Sequence, residues 1–324
     1  MDFSMNAMKT GATHSIRLEE KHTGASLEVI PSLGGTVHSL SLVPAPGEKA
    51  RPILFGDTPG ELLENPWFRG RILFPFNDRI PAGKYVFMGR EYHLPANERH
   101  TGDALHGFLY RTPLSVSNEH RDNKSAALTL TGQLKEEEGY PFNPKITMTY
   151  TLQPSLFRID FILSNSTDRR LPWTLGWHPY FFFPGRRDSR GIKGNCGKWT
   201  LALPAERYVE VDPNLLPTGD MPEVSGTSLD FREGREVRDQ EIDLAFENGK
   251  GQTRLYNEDL EILLEQDTAY FPFTQVFTHP DRKSVALEPV TAATNAFNKQ
   301  ELGLGVLGPG EEVRTWIQVR TFKK

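Results

Sequence analysis

The feature that most restricts what this chain can fold into is a periodicity it lacks. Over no long window do apolar residues recur at helical spacing, whereas short alternating or apolar runs return repeatedly between turn residues. Ala126 to Leu130, Ile146 to Leu152, Phe157 to Leu163, Glu261 to Leu264 and Val313 to Val319 are such runs, each about long enough to cross a sheet once. Most have Gly, Pro, Asn, Asp or Ser nearby, the residues that supply turn geometry. The segment Ala82 to Leu94 spells out a hairpin, with Lys84-Tyr85-Val86-Phe87 leading into a Met88-Gly89 turn and Glu91-Tyr92-His93-Leu94 returning. The pattern predicts an all-β protein.

The 324 residues would admit one large β domain or two ordinary ones. The 24 prolines and 28 glycines are scattered among the strands and mark no linker, so residues 1–324 are read as one domain. The Pro-, Gly- and Asp-rich stretch Glu206 to Gly234 is long for a bare connection, and loops of that length tend to carry function.

Several classes of protein are excluded at this level. No apolar run approaches the roughly 20 residues of a membrane helix, and Met1 to Thr13 lacks the apolar stretch of a secretory signal. Cys196 is the only cysteine, which rules out an internal disulfide and argues against a cysteine-ligated metal. A cytoplasmic location is expected. The net charge of -5 comes without a basic stripe, and the Arg169-Arg170 and Arg186-Arg187 pairs are isolated, so nucleic acid is not an expected partner. Glu136-Glu137-Glu138 reads as a solvated turn. Gly303 to Gly308 matches a dinucleotide-binding glycine pattern by letter, but Pro309-Gly310 follows where a helix would have to continue. No nucleophile elbow, phosphate loop or paired-histidine zinc motif is present.

Three constellations remain: Asp103-Ala104-Leu105-His106-Gly107-Phe108, Gly176-Trp177-His178-Pro179-Tyr180-Phe181 and Ala286-Leu287-Glu288-Pro289. Taken singly, His106 could be a turn histidine, His178 a core histidine bonded to a carbonyl, and Glu288 a surface charge at a strand end. Together they leave acid/base chemistry by histidine and glutamate, with no cofactor and no metal.

In this order the motifs resemble the aldose 1-epimerase (galactose mutarotase) family over most of the chain. Asn77-Asp78-Arg79-Ile80, Leu105-His106-Gly107, His178-Pro179-Tyr180-Phe181, Leu216-Pro217-Thr218-Gly219-Asp220, Ile242-Asp243-Leu244, Gln275-Val276-Phe277-Thr278, Leu287-Glu288-Pro289 and Gly308-Pro309-Gly310-Glu311 each look like a family segment. The resemblance implies a large, mostly antiparallel β-sandwich and the exchange of α and β anomers of a free aldohexose. It implies Glu288 as general base at the C1 hydroxyl and His178 as general acid at the ring oxygen. His106 would support the ring oxygen or a neighbouring hydroxyl, and Arg79, Asp243 and Gln275 would hold other hydroxyls. Trp177, Tyr180 or Phe181 would supply an apolar wall, with at least two of the three in the core. Asp78 departs from the family, many of whose members carry Asn there. An epimerase of a phosphorylated or sulfonated hexose, a glycosidase using Glu288 with Asp243, and a non-catalytic sugar-binding protein are the alternatives. A sugar phosphate would need cations such as Arg79 and, further off, Arg71 and Arg111, but Arg79 already has a hydroxyl to hold and Asp78 beside it would oppose an anion, so a neutral aldohexose such as galactose or glucose is expected over its 6-phosphate.

Overall fold

The computed structural model describes residues 1–98, 100–183 and 196–324, so the Arg186-Arg187 pair lies outside the described residues. Strands dominate, and among the described residues the one α-helix is a single turn, Glu61–Glu64. Every pair of named strands is antiparallel, as the resemblance implies.

The largest sheet has nine strands, with the C-terminal strand Glu312–Lys323 between Leu260–Gln266 and Leu156–Ser164. Leu156–Ser164 alternates strictly between buried and partly exposed positions, as does most of Lys145–Gln153, so one face of this sheet packs inward and the other meets water. All five runs singled out in the sequence lie wholly inside strands of this sheet. A five-stranded sheet, Phe3–Thr10 to Arg51–Pro52, forms the N-terminal part. A smaller sheet holds Asp243–Glu247, Phe273–Thr278, Val285–Val290, Gly176–Trp177 and Ile72–Leu73, with Tyr180–Phe181 also on Val285–Val290. Val285–Val290 is buried at all six positions, which makes this sheet the inner layer. One hydrophobic cluster containing Leu27, Leu128, Phe157, Trp177, Val276 and Val319 joins all three sheets. Each such side chain contributes about 1.5–3 kcal/mol by leaving water.

The local sequence signals have local causes in the structure. Lys84–Phe87 pairs with Arg90–His93 across Met88 and Gly89, both at positive φ, the backbone a tight hairpin requires. The glycine pattern at 303–308 serves packing. Gly305 lies in the strand Gly305–Leu307 opposite Trp173, and a Cβ there would come within 2.5 Å of the indole. The stretch Glu206 to Gly234 is not structureless, since bridges at Arg207–Glu223, Tyr208–Phe246 and Val211–Pro217 tie it to itself and to the inner sheet. Cys196 is buried, and burial pushes its thiol up to about 11.

Candidate active site

The inner sheet builds the floor of a cleft of about 170 Å³. In its antiparallel register Gln275 lies opposite Glu288 and Ala245 opposite Gln275, while Phe277 lies opposite both Ala286 and Asp243. Residues two apart on a strand share a face, so Gln275, Phe277, Asp243 and Glu288 all point to the same side. Gly176 pairs with Val290 and Tyr180 with Ala286, and that register carried through the gap sets His178 across from Glu288. The ladder is interrupted there because Pro179 and Pro289 have no N–H to give it. His178 is tied instead by its backbone to Arg71 and Gly70.

His106 reaches the cleft from a loop on the opposite side. Its left-handed backbone, φ 62°, is followed by Gly107 at φ 71°, and a Cβ on Gly107 would come within 2.3 Å of the Phe74 carbonyl oxygen. Only glycine lets the two segments touch so closely. Asn77 completes the junction: its carbonyl accepts from His106 Nδ1 at 2.9 Å, its Nδ2 donates to Ala292, and its N–H donates to Thr174. With Nδ1 carrying the hydrogen, a neutral His106 presents Nε2 as an acceptor only. That geometry suits a sugar hydroxyl and not the ring oxygen, which has no proton to give, so of the two partners expected for His106 only the hydroxyl fits.

All six residues singled out from the sequence, His106, His178, Glu288, Arg79, Asp243 and Gln275, line this cleft. Glu288 Oε1 lies 3.5 Å from His178 Nε2, and both side chains are almost wholly buried. The strand-end surface position considered for Glu288 is thus replaced by mid-strand burial. Gln275 Nε2 donates to Asp243 Oδ1 at 2.7 Å. Asp78 accepts from Thr294 and from the Arg79 N–H, and its carboxylate lies 3.6 Å from the Arg79 guanidinium, whose Nε is buried without a partner.

Of the three aromatics expected near the cleft, Trp177 and Phe181 are core residues, and Tyr180 lines it, stacked on His178 at 4.9 Å and 8°. Pro66, Trp67, Phe68, Leu105, Phe277 and Glu98 complete the lining, and none of them had been assigned a role in the site from the sequence. Phe277 was legible by its two-residue offset from Gln275. Trp67 and Phe68 carried no such signal, because Phe68 reaches His106 edge-on at 4.6 Å through a left-handed backbone, φ 52°. Arg71 and Arg111, noted as possible anion-binding groups, lie elsewhere. Arg71 is buried against Asp57, Asn65, Thr36 and the Leu62 carbonyl, and Arg111 pairs with Glu137.

Burial governs the charges. It holds Glu288 well above the usual carboxylate range, helped by Asp78 and Asp243, and holds His178 well below the usual imidazole range, helped by His106. Burial also lowers His106 to about 4 and, with Asp78, raises Asp243 to about 6. The expectation of a freely ionised Glu288 beside an imidazolium therefore changes. Burial favours the uncharged form of each group, a protonated Glu288 and a neutral His178. Among the described residues the lining holds four carboxyl groups, Asp78, Glu98, Asp243 and Glu288, against one guanidinium, Arg79.

The aldose 1-epimerase family profile matches residues 15–320. The chain is 26% identical over 262 residues to the uncharacterized protein YihR of Escherichia coli, covering 79% of this chain and 80% of that one. It is 29% identical over 219 residues to galactose mutarotase of Mus musculus, where the match covers 65% of this chain but only 59% of the relative. Among solved structures, a galactose mutarotase-like protein from Clostridium acetobutylicum superposes with a TM-score of 0.85 at 19% identity, covering 100% of this chain and 99% of that one. Galactose 1-epimerase from Lactobacillus acidophilus gives 0.80 at 17% identity, with 99% of each chain covered. At such identities the likeness is one of fold. With the profile spanning nearly its whole length and the same fold beneath it, the chain belongs to the aldose 1-epimerase family, whose activity is the isomerisation of carbohydrates.

Proposed function

We propose that this protein interconverts the α and β anomers of a free, neutral aldohexose within the single domain 1–324, with Glu288 as base and His178 as acid. The observation that carries this reading is the His178–Glu288 pair, 3.5 Å apart on the floor of the cleft and ringed by groups able to hold hydroxyls. That separation exceeds a hydrogen bond, as is common before a substrate draws catalytic groups together.

The step balances without an external reactant. A C1 hydroxyl donating to Glu288 stabilises the carboxylate, and the shared proton moves to His178. Glu288 then takes the hydroxyl proton, the O–H electron pair becomes the carbonyl bond, and the C1–O5 pair leaves to O5, which takes its proton from His178. Rotation about C1–C2 exposes the other face of the aldehyde, and the same transfers in reverse close the ring. The pair ends the step in the uncharged arrangement in which it began, and the charged arrangement in between, which burial disfavours, is sustained by the hydrogen bond from the C1 hydroxyl to Glu288. Arg79, Asp243 and Gln275 offer forked donors and acceptors to the remaining hydroxyls, and His106 accepts from one. No metal or cofactor takes part in this scheme, and the partner is a monosaccharide.

Charge sets the substrate class. Even with Glu288 uncharged, the carboxyl groups of Asp78, Glu98 and Asp243 outnumber the single guanidinium of Arg79 and oppose a dianion, which favours the free sugar over a 6-phosphate or 6-sulfonate. A glycosidase reading is weaker, because Glu288 faces a histidine while Asp243 is engaged by Gln275. Anomer exchange followed by NMR tests the proposal on glucose, galactose and their 6-phosphates. The neutral sugars are expected to exchange faster than background, with Glu288→Gln lowering the rate about 10²–10⁴-fold. Near-normal exchange in Glu288→Gln would refute the assignment of the base, and a preference for the phosphate would refute that of the substrate.

A further inference from the structure

We infer that Arg69 is a positioning residue for the general acid: through the ring of Tyr180 it holds the His178 imidazole in the orientation that proton transfer to the ring oxygen requires. This rests on the reading of His178 as the acid. A histidine that moves protons is ordinarily oriented by a hydrogen bond on the nitrogen it does not use, as Asn77 orients His106 here. His178 is held differently. Its Nε2 faces Glu288, while its buried Nδ1 finds no hydrogen-bond partner among the described residues. What fixes the ring instead is the rings around it. Tyr180 lies against it with centroids 4.9 Å apart and 8° between the planes, and His106 meets it edge-on at 5.4 Å. The imidazole therefore points where Tyr180 lets it point.

Tyr180 in turn packs on Arg69, whose guanidinium carbon lies 5.7 Å from the centre of its ring and 5.3 Å from that of Phe55. Arg69 is buried, and side chains from separate segments lock its head. Asp57 accepts from it at 3.3 Å, Glu61 accepts at 3.2 Å, and His279 Nε2 lies 3.4 Å away. Its Nε is left buried with no partner among the described residues, a cost that an ion pair built for stability alone would avoid. The next two residues hold the other half of the histidine: Gly70 N–H donates to the His178 carbonyl at 2.8 Å, and the Arg71 carbonyl accepts from the His178 N–H at 3.0 Å. One segment thus fixes the backbone of the acid directly and its ring through Tyr180. Arg69 itself lies outside the lining of the cleft.

A double-mutant cycle on the full chain tests this, with kcat and KM for anomer exchange of glucose and galactose followed by NMR and the His178 ring-nitrogen signals recorded in parallel. Arg69→Met is expected to lower kcat about 10–100-fold with KM within about twofold, the signature of a misaligned acid with sugar binding intact. Tyr180→Leu should lower kcat at least as much, and Tyr180→Phe, which keeps the ring, should recover most of that loss. In the Tyr180→Leu background Arg69→Met should cost no more than about a further twofold, because the ring through which it acts is gone. The His178 ring signals should shift or broaden in Arg69→Met. Should that variant fail to fold, Glu61→Gln, at the more exposed end of the network, loosens the same clamp and should lower kcat several-fold, again only while Tyr180 is present. A kcat near that of the wild type, losses that multiply independently in the double variant, or unchanged ring signals would overturn the positioning role. Ring signals that respond, in a protein that accelerates the exchange of no sugar, would sustain the role of Arg69 and refute the proposed catalysis instead.

Discussion

Lowering the pH should unfold this protein partly through His106, and the size of that contribution follows from its surroundings. Burial holds the imidazole at about 4 in the folded protein, against an ordinary value of 6.5. A histidine with a depressed pKa stabilises the fold fully above its unfolded value and ceases to do so as pH falls through the folded one. At about 1.4 kcal/mol per unit the full effect is about 3 kcal/mol, of which about 2 kcal/mol is lost between pH ~7 and ~5. The assay is urea unfolding of the wild type and His106→Asn at both pH values. Asparagine tolerates the left-handed backbone found here, φ 62°. The lost bond to Asn77 shifts the variant's stability by a similar amount at either pH, so only the pH-dependent difference reports the titration. The variant should lose about 2 kcal/mol less than the wild type over this interval. Equal losses, or an NMR titration placing the His106 midpoint near 6.5, would refute the reasoning.

His178→Asn should depress anomer exchange about as severely as Glu288→Gln, some 10²–10⁴-fold, and a variant within a few-fold of wild type would remove His178 from the relay. Asp78→Asn removes a carboxylate that pushes Asp243 upward, so the Asp243 midpoint should fall from about 6; a carboxyl NMR titration that does not move would show that burial alone sets it. Asp243 has a raised pKa, so its contribution to stability is present below its ordinary value of 3.8 and is lost as pH rises through about 6. Asp243→Asn should therefore stabilise the protein above pH ~6 by on the order of 2 kcal/mol, and unchanged denaturant midpoints there would contradict this. Gly107→Ala, whose Cβ would sit 2.3 Å from the Phe74 oxygen, should cost at least ~2–3 kcal/mol, whereas Gly89→Ala at a similar φ, with nothing within 4 Å, should cost about 1 kcal/mol. Equal melting temperatures for the two variants would show that the contact at Gly107 relaxes.

Much of the fold was legible because strand period and turn chemistry are local. Ile146 to Leu152 and Phe157 to Leu163 announce themselves by alternation, and Met88-Gly89 by the backbone it permits. The residues of the cleft were legible mainly through resemblance, since His106, His178 and Glu288 meet only once three distant segments pack together. The position of Glu288 was misread because Pro289 looks like a strand terminator, whereas the strand runs through it to Val290. The charge states could not be read either. They depend on how completely Glu288 and His178 lose water, which is a property of the packed sheet and not of neighbouring letters.

The floor of the cleft divides its tasks between two adjacent rows of the sheet, His178, Glu288 and Gln275 on one, Tyr180, Phe277 and Asp243 on the next. Because the pleat has a period of two, slipping any of these strands by one residue would turn its contribution away from the cleft. Insertions and deletions are therefore excluded from the floor, while a segment such as the Val211–Pro217 hairpin, which does not line the cleft, can lengthen, shorten or change composition without moving the floor residues. Such a layout freezes the register of the inner sheet and leaves length variation to the loops around it.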